Sequence, residues 1–203
     1  MLVQTLLIPA EAARGWRLWS LVPAHPETAG DWRLTSPHRF APWHPLEPLR
    51  ASCADCLSPP SVDCSCGIRG YSAGRFVDDI PSRFGEPGSF SAPFASARMV
   101  ARCIVGEVAG WGNLFPSSVG WRAEFAYPLS VALVCIGCLV TRARLEPAVW
   151  VCSSPAGRHW ATCDPHTREY LNMPSSMRRT SPAGDVEEEL RERRIKLGAK
   201  EKQ

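Results

Sequence analysis

The stretch RMVARCIVGEVAGWG (98–112), followed by GWRAEFAYPLSVALVCIGCLV (120–140), decides the fold class of this chain. Both segments carry the apolar and β-branched residues that are typical of strands. The seven residues between them (113–119) include one proline and two serines, which favour a turn. The pattern predicts an antiparallel pair of strands at the centre of a mainly β domain.

Other segments extend this picture. The early segments GWRLWSLVP and DWRLTSP alternate large apolar with polar side chains, which predicts short half-buried strands. The apolar run 129–140 has twelve residues, whereas crossing a bilayer takes about 20. It is therefore predicted to be a buried strand or strand pair, with no membrane association. We expect an α+β, mainly β fold: an antiparallel sheet or small barrel with a structural zinc clip and a C-terminal helix.

The length and net charge of the chain limit the classes of protein to which it could belong. The chain has 203 residues, of which 45% are hydrophobic, and this is enough for one core of ordinary size. A net charge of +3 is too small to indicate a nucleic-acid partner by itself. The apolar N-terminus lacks a preceding basic segment, so no export is expected and the predicted location is cytoplasmic. In a reducing compartment, the nine cysteines favour metal ligation over disulfides.

The segment CADCLSPPSVDCSCG (53–67) holds four of those cysteines. Cys53-x2-Cys56 and Cys64-x-Cys66 form two close pairs, the arrangement that lets short turns aim thiolates at one tetrahedral zinc ion. Gly67, directly after the second pair, lets the backbone approach the metal or take a positive φ. Four thiolates would leave no open position for water, so a structural zinc is favoured over unliganded thiols or redox chemistry.

The fourth ligand is open to alternatives. If Cys56 is incidental, either there is no fourth ligand or a histidine replaces it, and the candidates are His38, His44, His159 and His166. Cys135-x2-Cys138 lies inside the apolar run and is interpreted as a pair of core cysteines, with a redox pair as the alternative. Cys163-x2-His166 has ligand-like spacing, which leaves open either a second metal site or a polar loop.

Arginine-bearing strands supply the candidate binding surface. A Trp-Arg pair recurs at Trp16-Arg17, Trp32-Arg33 and Trp121-Arg122. Adjacent side chains on a strand point to opposite faces, so each pair is expected to bury its tryptophan and expose its arginine. Arg17, Arg33 and Arg122, with nearby aromatics, predict a non-enzymatic binding module with nucleic acid as the leading ligand class.

Two alternative functions stay open, and the first is enzymatic. Motifs of common hydrolases, nucleotide-binding proteins and metalloproteases are absent from the sequence, and Asp78-Asp79 is more typical of a turn than of an acid/base couple. An enzyme or enzyme-accessory protein could use a pocket around Glu107, Arg122 and Glu124, although cross-strand ion pairs explain the same residues.

The C-terminal segment supports the second alternative, a protein-interaction factor. Asp185 and Glu188 form a capping box and Gly198 a stop, which predicts a helix over 185–197. Its apolar stripe of Val186, Leu190 and Leu197 is narrow, so we expect a peripheral helix. The predicted organisation is a globular domain over 1–174, a linker over 175–184 and a charged helical segment over 185–203.

Several of these motifs together resemble a group of uncharacterised actinobacterial and actinophage proteins. That group shares a CxCG segment followed by VxGxVxxWG and GxRAExAxP motifs. The corresponding residues here are Cys64–Gly67, Ile104–Gly112, with isoleucine where the motif begins with valine, and Gly120–Pro128, within a resemblance that covers about residues 15–130. The resemblance implies only that the double cysteine and the strand pair belong to one compact domain, because the group carries no function to transfer.

Overall fold

The computed structural model describes residues 8–23, 32–36, 43–44, 47–72, 75, 102–142, 144–153, 159–171 and 178–198. Two of the sequence-derived candidates, His38 and the Asp78-Asp79 pair, lie outside these ranges. The side chains of His159 and Trp32 also lie outside the described part.

The described residues form two antiparallel sheets and three helices. The strands are β1 (Ala13–Pro23), β2 (Trp32–Thr35), β3 (Leu49–Arg50), β4 (Ile68–Tyr71), β5 (Arg102–Ser117), β6 (Gly120–Pro128), β7 (Ala132–Leu133), β8 (Trp150–Ser153), β9 (His159–Thr162) and β10 (Arg178–Pro182). The helices are α1 (Ile136–Arg142), α2 (Asp164–Leu171) and α3 (Ala183–Gly198). None of the described helices has the length and apolar character that a membrane span requires.

Four strands close into a small barrel. Strand β1 pairs with β5, β5 with β6, and β6 with β4. The ring closes where β4 pairs back to β1 through Trp16 and Tyr71. The edge strands β2, β3 and β7 extend this sheet, and β10-β8-β9 form the second one. The prediction of a mainly β fold with an antiparallel sheet or small barrel is thus confirmed.

The indole of Trp121 fills the interior of this barrel. Gly15, Gly70 and Gly110, one from each of the other three barrel strands, face the ring so closely that an added Cβ at any of them would overlap it. The indole Nε1 donates a hydrogen bond to the Arg14 carbonyl at 3.0 Å. Since small barrels must be filled by side chains, three glycines make room for one large ring.

The β5–β6 hairpin matches the predicted pair, but its borders differ. Strand β5 continues to Ser117 after an irregularity between Trp111 and Leu114, and only residues 118 and 119 form the turn. The predicted strand over the apolar run 129–140 is wrong for most of its length. The run forms the two-residue β7 and then helix α1. Short apolar runs do not distinguish a strand from a buried helix, which explains the error.

The C-terminal segment lies differently from the expected linker and peripheral helix. Residues 178–182 form β10, which pairs with β8. Ala183, Val186 and Leu190 of α3 are buried in the same hydrophobic cluster that contains Trp19 of β1. Glu187 of α3 accepts a hydrogen bond from the Leu133 backbone N–H at 2.7 Å. Ala183 adds to the buried stripe of Val186 and Leu190, and the side chain of Leu197, its third predicted member, lies outside the described part.

Candidate metal centres

The segment that connects β3 to β4, residues 51–67, carries Cys53, Cys56, Cys64 and Cys66, and we call it the four-cysteine loop. Its start is fixed to the barrel, because the Ala51 N–H donates to the Glu124 carbonyl at 2.7 Å. Gly67, at its end, has a φ of 108°, a conformation that glycine adopts without the steric cost other residues incur. The expectation of a positive φ after the second cysteine pair is confirmed.

The four thiols of the four-cysteine loop converge. Their sulfur atoms all lie within 4.8 Å of one another. The Cys53 and Cys64 sulfurs are 3.6 Å apart, and the Cys56 and Cys66 sulfurs are 3.3 Å apart. Zinc with Zn–S bonds of about 2.3 Å in tetrahedral geometry separates its sulfurs by about 3.8 Å, so this set could hold a metal ion. Cys56 belongs to the set, so a histidine is not needed to complete it.

The Arg122 side chain supports the four-cysteine loop from β6. One guanidinium nitrogen donates to the carbonyl oxygens of Cys64, Cys66 (3.0 Å) and Ser61 (3.4 Å). Arg69 donates to the Ser65 carbonyl at 3.1 Å. These contacts fix the backbone that carries two of the thiols. They also bring positive charge close to a set that would bear net negative charge with a divalent ion bound.

Two thiols of the four-cysteine loop differ in acidity. The Asp55 backbone N–H, 3.4 Å from the Cys53 sulfur, lowers the pKa of Cys53 to about 7. The hydrogen bond with Cys66 raises the pKa of Cys56 to about 12, with burial adding to the effect. Metal ligation requires thiolates, and a bound cation supplies the charge that ionises the remaining thiols.

A groove of about 430 Å³ lies beside the four-cysteine loop. We call it the arginine groove, because Arg69 and Arg122 line it together with Ser117 and Ser118 at the β5–β6 turn. Arg69 and Arg122 are directly opposite each other in the β4–β6 register. Asp63 lines the same groove, and like charges directly opposite each other in a sheet destabilise it unless something offsets them.

The other predicted arginines have different surroundings. Arg17 is half-buried, donates to the Arg69 carbonyl at 2.6 Å and lies over the Trp43 ring at 5.5 Å. Arg33 is half-buried on β2. The expected common face of three arginines is therefore not seen as such: Arg122 lines a groove, whereas Arg17 packs against Trp43.

The pocket considered around Glu107, Arg122 and Glu124 is not assembled by the strand register. Val108 pairs with Pro128 and Trp111 with Phe125, so Glu107 and Glu124 are five residues out of register, which is about 17 Å at ~3.3 Å per residue. Glu124 forms an ion pair with Arg50 at 3.1 Å. Arg122 is directed instead to the four-cysteine loop.

A second convergent set was not predicted from the sequence as one site. It comprises Cys135, Cys138, Cys163 and His166, whose ligand atoms also lie within 4.8 Å of one another, and we call it the cysteine-histidine set. Its sequence signal was present in two spacings, Cys-x2-Cys and Cys-x2-His, separated by 24 residues. Each spacing was interpreted alone, since only folding brings the two together. None of the eight cysteines whose side chains are described is in a disulfide.

Comparisons with protein-family models, with curated proteins and with solved structures find no match to this chain.

Proposed function

We propose that this protein is a non-enzymatic binding module whose four-cysteine loop is held by a structural zinc ion. The observation that supports it is the convergence of four sulfur atoms within 4.8 Å. Soft thiolate ligands in tetrahedral geometry favour zinc or iron over magnesium, calcium or manganese. Zinc bound by four thiolates has no open position for water, so the ion serves folding and not hydrolysis.

The zinc would close a loop that has little regular structure of its own. Residues 51–67 contain no strand or helix, and Leu57 and Val62 on this loop are exposed at 108% and 75%. Ala51 packs against the main hydrophobic cluster and Pro60 is buried, but these exposed side chains leave the loop little apolar packing of its own. Structural zinc contributes folding free energy directly, and Arg122 links the ordered loop to the barrel.

The test is the metal content of anaerobically purified protein compared with a Cys64→Ser/Cys66→Ser variant. The expected result is that the double variant loses one zinc ion per chain and melts at a lower temperature. A Cys152→Ala variant is the matched control, because Cys152 is a buried thiol outside both sets. Equal metal content and equal melting temperatures in the wild type and the double variant would contradict the proposal.

Nucleic acid is the ligand class that the arginine groove favours. Arg69 and Arg122 line the groove together with Ser117, Ser118 and one carboxylate, Asp63, and guanidinium groups donate to phosphate oxygens. Phe115, half-buried with the Arg122 guanidinium 5.7 Å from its ring centre, offers an aromatic surface next to these charges. Basic grooves next to aromatic side chains are typical of single-strand binding.

Arg69→Gln is the variant that tests this ligand class. Its guanidinium makes one described hydrogen bond to the loop, so the four-cysteine loop keeps its Arg122 contacts. Binding of single-stranded DNA and RNA should weaken in the variant and should fall with rising salt in the wild type. The control is Arg50→Gln, which removes an exposed arginine outside the groove. Absence of salt-sensitive binding by the wild type would overturn the assignment.

A further inference from the structure

The cysteine-histidine set joins the two sheets. Cys135 and Cys138 follow β7, which pairs with β5 of the barrel through Ile104 and Leu133. Cys163 and His166 follow β9 of the second sheet and lie at the start of α2. An ion bound by all four residues would connect the edge of the barrel to the second sheet.

The geometry around the His166 ring indicates that the four side chains share one metal ion and are not simply hydrogen-bonded to one another. Its Nδ1 atom lies 3.1 Å from the Cys135 sulfur, 3.5 Å from the Cys138 sulfur and 3.2 Å from the Cys163 sulfur. One ring nitrogen has a single lone pair or a single proton, so it cannot satisfy three thiols. Three sulfurs around one nitrogen match the edges of a coordination tetrahedron, with the Cys138 and Cys163 sulfurs 3.8 Å apart.

The burial of the set excludes a chance surface cluster. All four residues are buried, each no more than 8% exposed. Cys135, Cys138 and Cys163 form a cluster of their own, separate from the main hydrophobic cluster. Cys135 and Cys138 were predicted to be core cysteines that pack as small hydrophobes. Their burial agrees with that prediction. Their sulfur atoms, however, lie next to the Cys163 sulfur and the His166 Nδ1 atom, which are potential metal ligands.

The surrounding backbone is arranged for ligation. The Cys163 carbonyl accepts hydrogen bonds from the N–H (2.8 Å) and the hydroxyl (2.9 Å) of Thr167, which fixes the first turn of α2. The Cys135 N–H donates to the Glu146 carbonyl at 2.7 Å. A Cβ added at Gly137 would lie 2.8 Å from the His166 ring. The glycine between the two cysteines thus allows the imidazole to approach them.

We infer that Cys135, Cys138, Cys163 and His166 bind a second structural zinc ion that joins the barrel to the second sheet. Three thiolates and one imidazole are a common structural zinc ligand set. Nδ1 of His166 is the ligating atom, and the ring is held by Gly137 and the start of α2. This site is distinct from the four-cysteine loop and does not depend on it.

The decisive measurement is zinc stoichiometry together with X-ray absorption at the zinc edge, on wild-type protein purified without oxygen. Two ions per chain, with seven sulfurs and one nitrogen in total, are expected from the two ligand sets. One ion with only sulfur ligands would overturn this inference and leave the proposal for the four-cysteine loop standing. One ion with three sulfurs and one nitrogen would support this inference and overturn that proposal. Protein without zinc would overturn both.

Substitutions provide an independent test of the same ligand set. Cys64→Ser/Cys66→Ser is expected to keep one ion with three sulfurs and one nitrogen, and Cys163→Ser/His166→Asn to keep at most the four-sulfur ion. Gly137→Ala tests positioning, because the added methyl displaces the His166 ring while alanine suits a helix better than glycine. Gly137→Ala should lose nitrogen ligation, whereas the buried-thiol control Cys152→Ala should not. Unchanged nitrogen ligation in both Cys163→Ser/His166→Asn and Gly137→Ala would contradict the inference.

Discussion

The guanidinium of Arg122 donates a hydrogen bond to the carbonyl oxygen of Cys66 at 3.0 Å. This contact joins a barrel strand to the four-cysteine loop across 56 residues of sequence. The same nitrogen also reaches the Cys64 and Ser61 carbonyls. Arg122, which was expected to face solvent, thus orients the backbone that carries two proposed zinc ligands.

Replacing Arg122 should weaken zinc binding by the four-cysteine loop. Arg122→Gln removes the charge and shortens the side chain so that its donor no longer reaches the three carbonyls, and changes in groups that orient metal ligands cost about 10–100-fold in affinity. The measurement is competition for zinc with a chromogenic chelator. Arg50→Gln is the control, because Arg50 pairs with Glu124 at an exposed site and such pairs contribute little. Equal affinities of the two variants would show that the Arg122 contacts do not support the metal.

A methyl group added inside the barrel should destabilise it. Gly110→Ala places a Cβ against the Trp121 ring, and overpacking of this kind costs about 1–3 kcal/mol. Thermal denaturation should show a melting temperature several degrees lower, since ~1 kcal/mol shifts it by ~2–4 °C at this chain length.

The control for this barrel variant is Gly184→Ala in α3. Nothing lies within 4 Å of a Cβ at that position, and alanine is the better helix former. It should melt at or above the wild-type temperature. If Gly110→Ala also melts at or above the wild-type temperature, Trp121 does not fill the barrel as described.

Cys53 should be the thiol of the four-cysteine loop that reacts first in metal-free protein. Its pKa of about 7 leaves about half of it ionised at pH 7, whereas Cys56, with a pKa of about 12, stays protonated. Alkylation of Cys53 should therefore accelerate as pH rises through about 7 and slow as pH falls below it. Bound zinc should protect both thiols.

Proteolysis can separate the labelled cysteines of the four-cysteine loop. Cleavage before Asp55 and Asp63 places Cys53, Cys56 and the Cys64–Cys66 pair on three different peptides, which mass spectrometry can quantify. Equal labelling of Cys53 and Cys56 at pH 7 would contradict the difference in acidity.

Truncating a buried side chain of α3 should destabilise the protein. Leu190→Ala removes a side chain that is 8% exposed and belongs to the main hydrophobic cluster, and such truncations cost about 2–5 kcal/mol. Urea denaturation measures the change in free energy of unfolding. Glu188→Gln, at an exposed position of the same helix, should change it by less than about 0.5 kcal/mol. If the two variants change the free energy of unfolding by similar amounts, α3 is peripheral, as its narrow apolar stripe predicted.

The two proposed zinc ions should differ in their rate of loss. The thiols of the four-cysteine loop are half-buried, while the residues of the cysteine-histidine set are buried. A chelator should therefore remove the four-sulfur ion first and the other only as the protein opens. Chelation stopped at intervals and followed by zinc-edge absorption would reveal which ion remains. Loss of nitrogen ligation before sulfur-only ligation would contradict this order.

Local patterns in the sequence determined a definite part of this protein. The β5–β6 hairpin follows from two apolar strand segments with a turn between them. A helix in the tail was also predicted, although it begins at Ala183, two residues before the expected cap Asp185. The convergence of thiols in the four-cysteine loop follows from two close pairs and a glycine. In each case the deciding residues are near neighbours in the chain, so spacing alone carries the information.

Tertiary structure decided the rest, because it depends on residues that are distant in sequence. Trp121 fills the barrel only because glycines on β1, β4 and β5 meet it there. Arg122 reaches the four-cysteine loop through the β4–β6 pairing. Cys135 and Cys138 meet Cys163 and His166 only when β7 and β9 bring α1 and α2 together. Spacing can indicate half of such a site, but the chain topology determines which halves meet.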